Sequence, residues 1–169
     1  MQKGWIRAAL AALAMVAWTA AAQTSGKQPV LVTIKRMSLD TALKAAQATI
    51  EACRKEGVQI AVTVLDRGGH AQVVLRDVLA SDLALKVSQA KAYAALSFVT
   101  PTSQLSGRFS RPFDPPSVGG VVIGAGGLPI QAGGELVGAI GVSGAPSGEV
   151  DERCARAGFD AIVEDLELG

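Results

Sequence analysis

The chain has 169 residues, 49% of them hydrophobic and 18% charged, with 16 basic against 15 acidic side chains and a single histidine. That composition fits one domain and supplies enough apolar side chains for a real hydrophobic core. The near-neutral balance removes the concentrated basic surface that phosphate binding needs, so nucleic acid is not an expected partner. The first 22 residues have the layout of a signal peptide: Lys3 and Arg7 at the start, an apolar run from Ala8 to Val16, and Ala20-Ala21-Ala22 as a small-residue cleavage site. Cleavage there leaves Gln23 first, 14 basic against 15 acidic residues, and a periplasmic or secreted destination. The alternative is an uncleaved anchor, against which the shortness of the run and the polar stretch after it both argue. No later segment reads as a membrane span, so none is expected after processing. Residues 23–37 form an N-terminal extension, and 38–169 a single domain.

Within the domain, Ser38 to Glu56 combines a capping serine, strong helix formers and Gly57 as a stop, with Leu39, Leu43, Ala46, Ile50 and Cys53 as an apolar stripe. Gln59 to Leu65 and His70 to Leu75 are β-rich runs around the turn Asp66-Arg67-Gly68-Gly69, which predicts an antiparallel hairpin. Ser81 to Phe98 returns to helical spacing, with Leu83, Val87, Ala90 and Ala94 on one face, Lys86 and Lys91 off it, and Pro101 beyond. The loop Ser110-Arg111-Pro112-Phe113-Asp114-Pro115-Pro116 is too rich in proline for a strand.

Residues 119–148 interleave glycine with the apolar runs Val121-Val122-Ile123 and Leu136 to Val142, and Gly133-Gly134 supplies a second hairpin turn. Ser147 or Gly148 then opens a last helix whose first turn holds Glu149, Asp151 and Glu152, where the helix dipole favours acids. Hairpin-linked strands with helices kept outside them give an antiparallel α+β domain. Cys53 and Cys154 fall on the stripes of the first and last helices. They form either a bridge, which would make those helices neighbours, or two buried free thiols.

Several catalytic patterns fail. Gly141-Val142-Ser143-Gly144-Ala145 lacks the last glycine of a nucleophile elbow, and Gly124-Ala125-Gly126-Gly127-Leu128-Pro129 lacks the third glycine of a dinucleotide fingerprint. No Cys-x-x-Cys, paired histidine or carboxylate cluster has metal-ligand spacing. His70 is the only imidazole available as a metal ligand or general base; the bland reading is an exposed turn residue. Asp66 reads as a turn residue bonding its own backbone and Arg76 as an anion contact. Lys91 is a partner for Asp66 or a ligand carboxylate, and Tyr93 a packing residue.

The run Val62-Thr63-Val64-Leu65-Asp66-Arg67-Gly68-Gly69-His70, then Arg76, then Ser88-Gln89-Ala90-Lys91-Ala92-Tyr93-Ala94-Ala95, resembles the pattern of GlcG/HbpS proteins. Pro101-Thr102-Ser103, Gly126 to Ile130, Gly138 to Gly144 and Asp151 to Gly158 extend the likeness, in order, across Ser38 to Leu166. The family is related to the C-terminal domain of PduO-type corrinoid adenosyltransferases. The resemblance implies a profilin-like antiparallel sheet of about five strands with helices packed on it. It also implies homo-oligomers, and a first and last helix close enough for a Cys53–Cys154 bridge. In function it implies binding of haem or a related tetrapyrrole, with His70, Arg76, Lys91 and Tyr93 as binding residues and His70 as iron ligand. Where relatives often carry Met-Asp-Gly-Ala after the arginine, this chain has Asp77-Val78-Leu79-Ala80. The competing expectation is a small cofactor-free enzyme acting on an organic acid through Lys91, Asp66 and Arg76.

Overall fold

The computed structural model describes residues 29–109 and 119–169; the leader-like residues 1–22 and the loop Ser110 to Pro116 lie outside them. The chain divides into Met1–Thr33 and a compact unit, Ile34–Gly169, which carries every helix and strand described here.

Helix α1 spans Leu39–Lys55, with the Ser38 hydroxyl accepting from the Thr41 N–H as an N-cap. Strands β1 (Ala61–Asp66) and β2 (Ala71–Arg76) pair antiparallel across the expected turn. Helix α2 (Asp82–Phe98) follows, capped by Ser81, and a short 3₁₀ turn, Thr102–Leu105, comes after Pro101. Strands β3 (Gly127–Ala132) and β4 (Glu135–Ser143) form the second hairpin around Gly133 and Gly134. Helices α3 (Gly148–Asp160) and α4 (Val163–Leu168) end the chain. No described helix is long and apolar enough to cross a membrane.

The antiparallel sheet has the order β2-β1-β4-β3. It holds four strands among the described residues, one fewer than about five, and the missing one is Val121-Val122-Ile123. Two glycines in left-handed backbone, Gly119 and Gly120, precede that run. They turn it onto helix α2, where the Val122 N–H donates to the Ala90 carbonyl instead of joining the ladder.

One face of the sheet carries α1 and α3 over Val62, Val64, Leu128, Ile130, Ile140 and Val142. Cys53 and Cys154 are bridged there, with Cα atoms 5.4 Å apart, so α1 and α3 are covalently joined neighbours. The other face carries α2, and its buried side differs from the expected stripe. Ala84, Ser88, Lys91, Ala92 and Ala95 face inward together with Ala94 of the expected stripe, while Leu83, which was to lead that stripe, is exposed. Small residues win because α2 sits almost on the backbone of β4. A Cβ on Gly141 would lie 2.1 Å from the Ser88 carbonyl oxygen and 2.5 Å from the Ala92 nitrogen, so nothing larger than glycine fits at position 141 beneath this helix. Hydrophobic spacing alone selects the largest side chains and so points to the wrong side of the helix.

Candidate functional site

The four residues singled out from the sequence do not converge. Lys91 was expected off the buried face, pairing with Asp66 or a ligand. Instead its ammonium donates to Asp151 at 2.8 Å, with the two side chains 7% and 4% exposed. A buried lysine needs such a partner, since an unpaired ammonium away from water is far costlier than a paired one. Asp151 also accepts the Ala145 N–H at 3.1 Å. Burial pushes the Asp151 carboxyl above its ordinary range, against the opposing pull of Lys91 and that N–H. The pair ties α2 to the start of α3, beside a cluster in which Glu152 accepts from the Ser103 hydroxyl and the Gly126 N–H. Asp151, three residues before Cys154 on α3, was legible in the sequence only as a helix-dipole acid. Nothing in the spacing links it to a lysine 60 positions away.

Arg76 closes β2 at the end far from the turn, about 20 Å along the strand from His70. Its guanidinium donates to the Ala80 carbonyl at 2.6 Å and pairs with Asp82 at 3.3 Å. Asp66 bonds its own turn, accepting the His70 N–H at 3.0 Å. Partial burial would raise its carboxyl, but the N–H groups of His70 and Gly68 and the charges of His70 and Arg36 outweigh that and hold it below the ordinary range. The enzyme-type set of Lys91, Asp66 and Arg76 is therefore spread over a buried brace, a turn and a far strand end. Among the described residues, no group of three or more His, Cys, Asp or Glu side chains could hold a metal ion.

His70 and Tyr93 do come to one region. The turn between β1 and β2 leans on the outer side of α2, where a Cβ on Gly69 would fall 2.9 Å from the Tyr93 ring. Gly69 has φ +84, a backbone that L side chains avoid, so glycine meets both the turn and the ring contact. Between that turn and Gly120 lies a groove of about 370 Å³ lined by Gly69, Lys86, Gln89, Ala90, Tyr93 and Gly120. His70 follows Gly69 at its margin, its side chain 83% exposed and its Nδ1 3.5 Å from Asp66. The groove thus sets three small residues, Gly69, Ala90 and Gly120, beside one phenol, one amide and one ammonium. Lys86, Gln89 and Ala90 were not expected as site residues, yet they sit three to seven positions before Tyr93, the spacing that shares a helix face.

Three other depressions are present among the described residues, one of them, of about 330 Å³, lined by Ser103, Glu149, Glu152, Arg153 and Arg156, where Glu152 is already bonded to Ser103 and Arg153 to Glu56. One of about 310 Å³ lies between Met37, Ala132, Val137 and Leu166, with Lys35 and Arg36 on its rim. Another, of about 400 Å³, surrounds Arg54, whose guanidinium is already committed to the buried Asp77.

With this geometry in place, comparison with known proteins is informative. The family described as haem degrading protein HbpS-like matches residues 37–160. A double mutant of HbpS from Streptomyces reticuli is 38% identical, with a TM-score of 0.75 over 85% of this chain and 98% of that one. The PduOC:heme complex is 26% identical, with a TM-score of 0.70 over 76% of this chain and 96% of that one. Protein ORFY of Klebsiella pneumoniae, 24% identical over 80% of this chain and 96% of its own, shares the fold with a TM-score of 0.74. No curated protein sequence matches. The match over residues 37–160, together with the fold shared along nearly the whole length of these relatives, shows that this chain belongs to the HbpS-like family.

Proposed function

We propose that this protein is an exported haem-binding protein whose site is the groove between the β1–β2 turn and α2. The observation that carries the reading is the seat of Tyr93 against Gly69: the edge of an aromatic ring packed on glycine backbone at the wall of an open groove, where a planar macrocycle has room to approach. The groove is open and lined by small residues, which suits the edge of a flat ligand. Lys86 would meet a propionate carboxylate, and the Tyr93 hydroxyl and the His70 imidazole are the oxygen and nitrogen donors at hand for iron. When bound, haem would supply the iron chemistry; Tyr93 would pack against it, Lys86 would neutralise a carboxylate, and His70 or Tyr93 would offer a donor atom to iron. The family description and the haem complex of a relative support the same ligand.

Export is supported by the signal-peptide layout of residues 1–22 and by the buried Cys53–Cys154 bridge, a cross-link that persists in oxidising compartments. Haem sensing, storage or scavenging is the role such a protein would take there.

Titration of the purified protein with haem, followed at the Soret band, tests the site. The expected result is a saturable change at a fixed haem-to-chain ratio, weakened about tenfold or more in Tyr93→Ala, with a shifted band in whichever of His70→Ala and Tyr93→Phe removes a donor to iron. A wild-type spectrum that never saturates refutes haem binding. A titration unchanged in Tyr93→Ala moves the site elsewhere. Export is checked by cell fractionation and by N-terminal sequencing of the recovered chain, where Gln23 is expected first.

A further inference from the structure

In the turn between β1 and β2, one acid fixes both backbone polar groups of the histidine. The Asp66 N–H donates to the His70 carbonyl at 2.9 Å, and the Asp66 carboxylate accepts the His70 N–H at 3.0 Å. Asp66 is itself held, with its side chain 15% exposed and 3.5 Å from the Arg36 guanidinium. Arg67, the next cation in the chain, is engaged elsewhere and donates to the Leu136 carbonyl at 2.7 Å. On the imidazole, Nδ1 is the atom turned to the carboxylate, at 3.5 Å. The side chain is otherwise 83% exposed, so Nε2, across Cε1 from Nδ1, is left on the open side of the turn.

Gly68 shows what this arrangement requires. A Cβ there would fall 2.9 Å from His70 Nδ1 and 3.2 Å from Asp66 Oδ1, in the gap between ring and carboxylate. Gly69 has a left-handed φ, but Gly68 does not, so the backbone does not call for glycine at 68. The missing side chain instead lets the ring and the carboxylate meet.

A neutral imidazole carries its proton on one nitrogen, and only the other has a lone pair to give to a metal. A carboxylate beside Nδ1 attracts an N–H there and repels a lone pair, so it favours the proton on Nδ1. We propose that Asp66 is the positioning residue of the site: it keeps the His70 proton on Nδ1 and so presents the Nε2 lone pair as the donor to haem iron. A carboxylate on one ring nitrogen is a recurring way to fix the tautomer and orientation of a histidine that ligates through the other. The action on iron rests on the haem reading above, whereas the tautomer belongs to the chain alone.

The chain has a single histidine, so the ring nitrogens of untagged, ¹⁵N-labelled protein give one unambiguous pair of signals without haem. At about pH 8.5, where an ordinary histidine is neutral, the wild type is expected to carry its proton mainly on Nδ1. In Asp66→Asn the ratio of Nδ1–H to Nε2–H should fall about threefold or more, the size expected on removing one carboxylate charge at this range in a water-exposed turn. Gly68→Ala leaves the carboxylate in place and fills the gap, so it should lower the ratio as well, and it carries the test if Asp66→Asn does not fold. A wild type that is mainly Nε2–H, or a ratio unchanged in a folded variant, overturns the proposal. In the haem-loaded protein, the iron–nitrogen stretch seen by resonance Raman should be absent in His70→Ala and shifted in Asp66→Asn, because the carboxylate strengthens the ring as a donor. A loaded wild type without that stretch, or an identical stretch in Asp66→Asn, overturns the action on iron. A wild type that binds no haem sinks the haem reading, while the nitrogen spectrum still decides whether Asp66 sets the tautomer.

Discussion

Cys53→Ala/Cys154→Ala removes the one covalent link between α1 and α3 while leaving two small apolar residues in a site that is 0–1% exposed. The bridged residues are 101 positions apart. Closing a loop of about that length withdraws entropy from the unfolded chain worth roughly 4.7 kcal/mol in the chain-entropy account, and structure and solvation of the unfolded state spread this over about 3–5 kcal/mol. For a unit of roughly 135 residues, with unfolding entropy near 2.1 cal/mol/K per residue, that range corresponds to a fall in Tm of about 11–18 °C. Scanning calorimetry without reductant, on protein whose bridge is verified by intact mass under denaturing conditions, gives the comparison. A shift below about 3 °C, or two titratable thiols in denatured but unreduced wild type, refutes the reasoning.

Lys91→Met leaves Asp151 buried without its counter-charge, and a loss of roughly 3–5 kcal/mol is expected in urea unfolding; Asp151→Leu added to it should recover most of that, as the coupling in a double-mutant cycle. Val99 ends α2 at φ +48, left-handed backbone that is strained for a β-branched residue, so Val99→Gly should raise stability by roughly 0.5–1 kcal/mol, and a lower Tm would count against the strain. The Asp66 carboxyl is held below its ordinary range, so its contribution is complete above the unfolded pKa and is lost as pH falls through the folded one. The Tm advantage of wild type over Asp66→Asn should therefore be full near pH 6 and vanish toward pH 3; an advantage that grows on acidification contradicts it.

Elements announced by capping and turn chemistry were readable from the sequence. Ser38, Ser81, the Asp66 to Gly69 turn and Gly133-Gly134 each stand where the chain changes direction. What spacing could not show was which side of α2 is buried. The choice rests on Gly141, a residue without a side chain, on a strand some fifty positions away. The partner of Lys91 was hidden for a similar reason, since Asp151 already had a sufficient local explanation as a first-turn acid. His70 and Tyr93 were found because chemistry marks them. The Lys86, Gln89 and Ala90 side of the groove needed the position of the hairpin tip over α2, which no local pattern encodes.

The bridge also gives the molecule a simple covalent topology. Residues 53–154 form a closed ring that carries all four strands, α2 and every residue lining the groove, and the two segments outside the ring are tails. A protease that cuts the backbone once anywhere within the ring linearises it without releasing a fragment. A nicked protein would keep its mass on a non-reducing gel and fall into pieces only on reduction. Fusions at either end attach to the tails, so a reporter can be added without opening the ring.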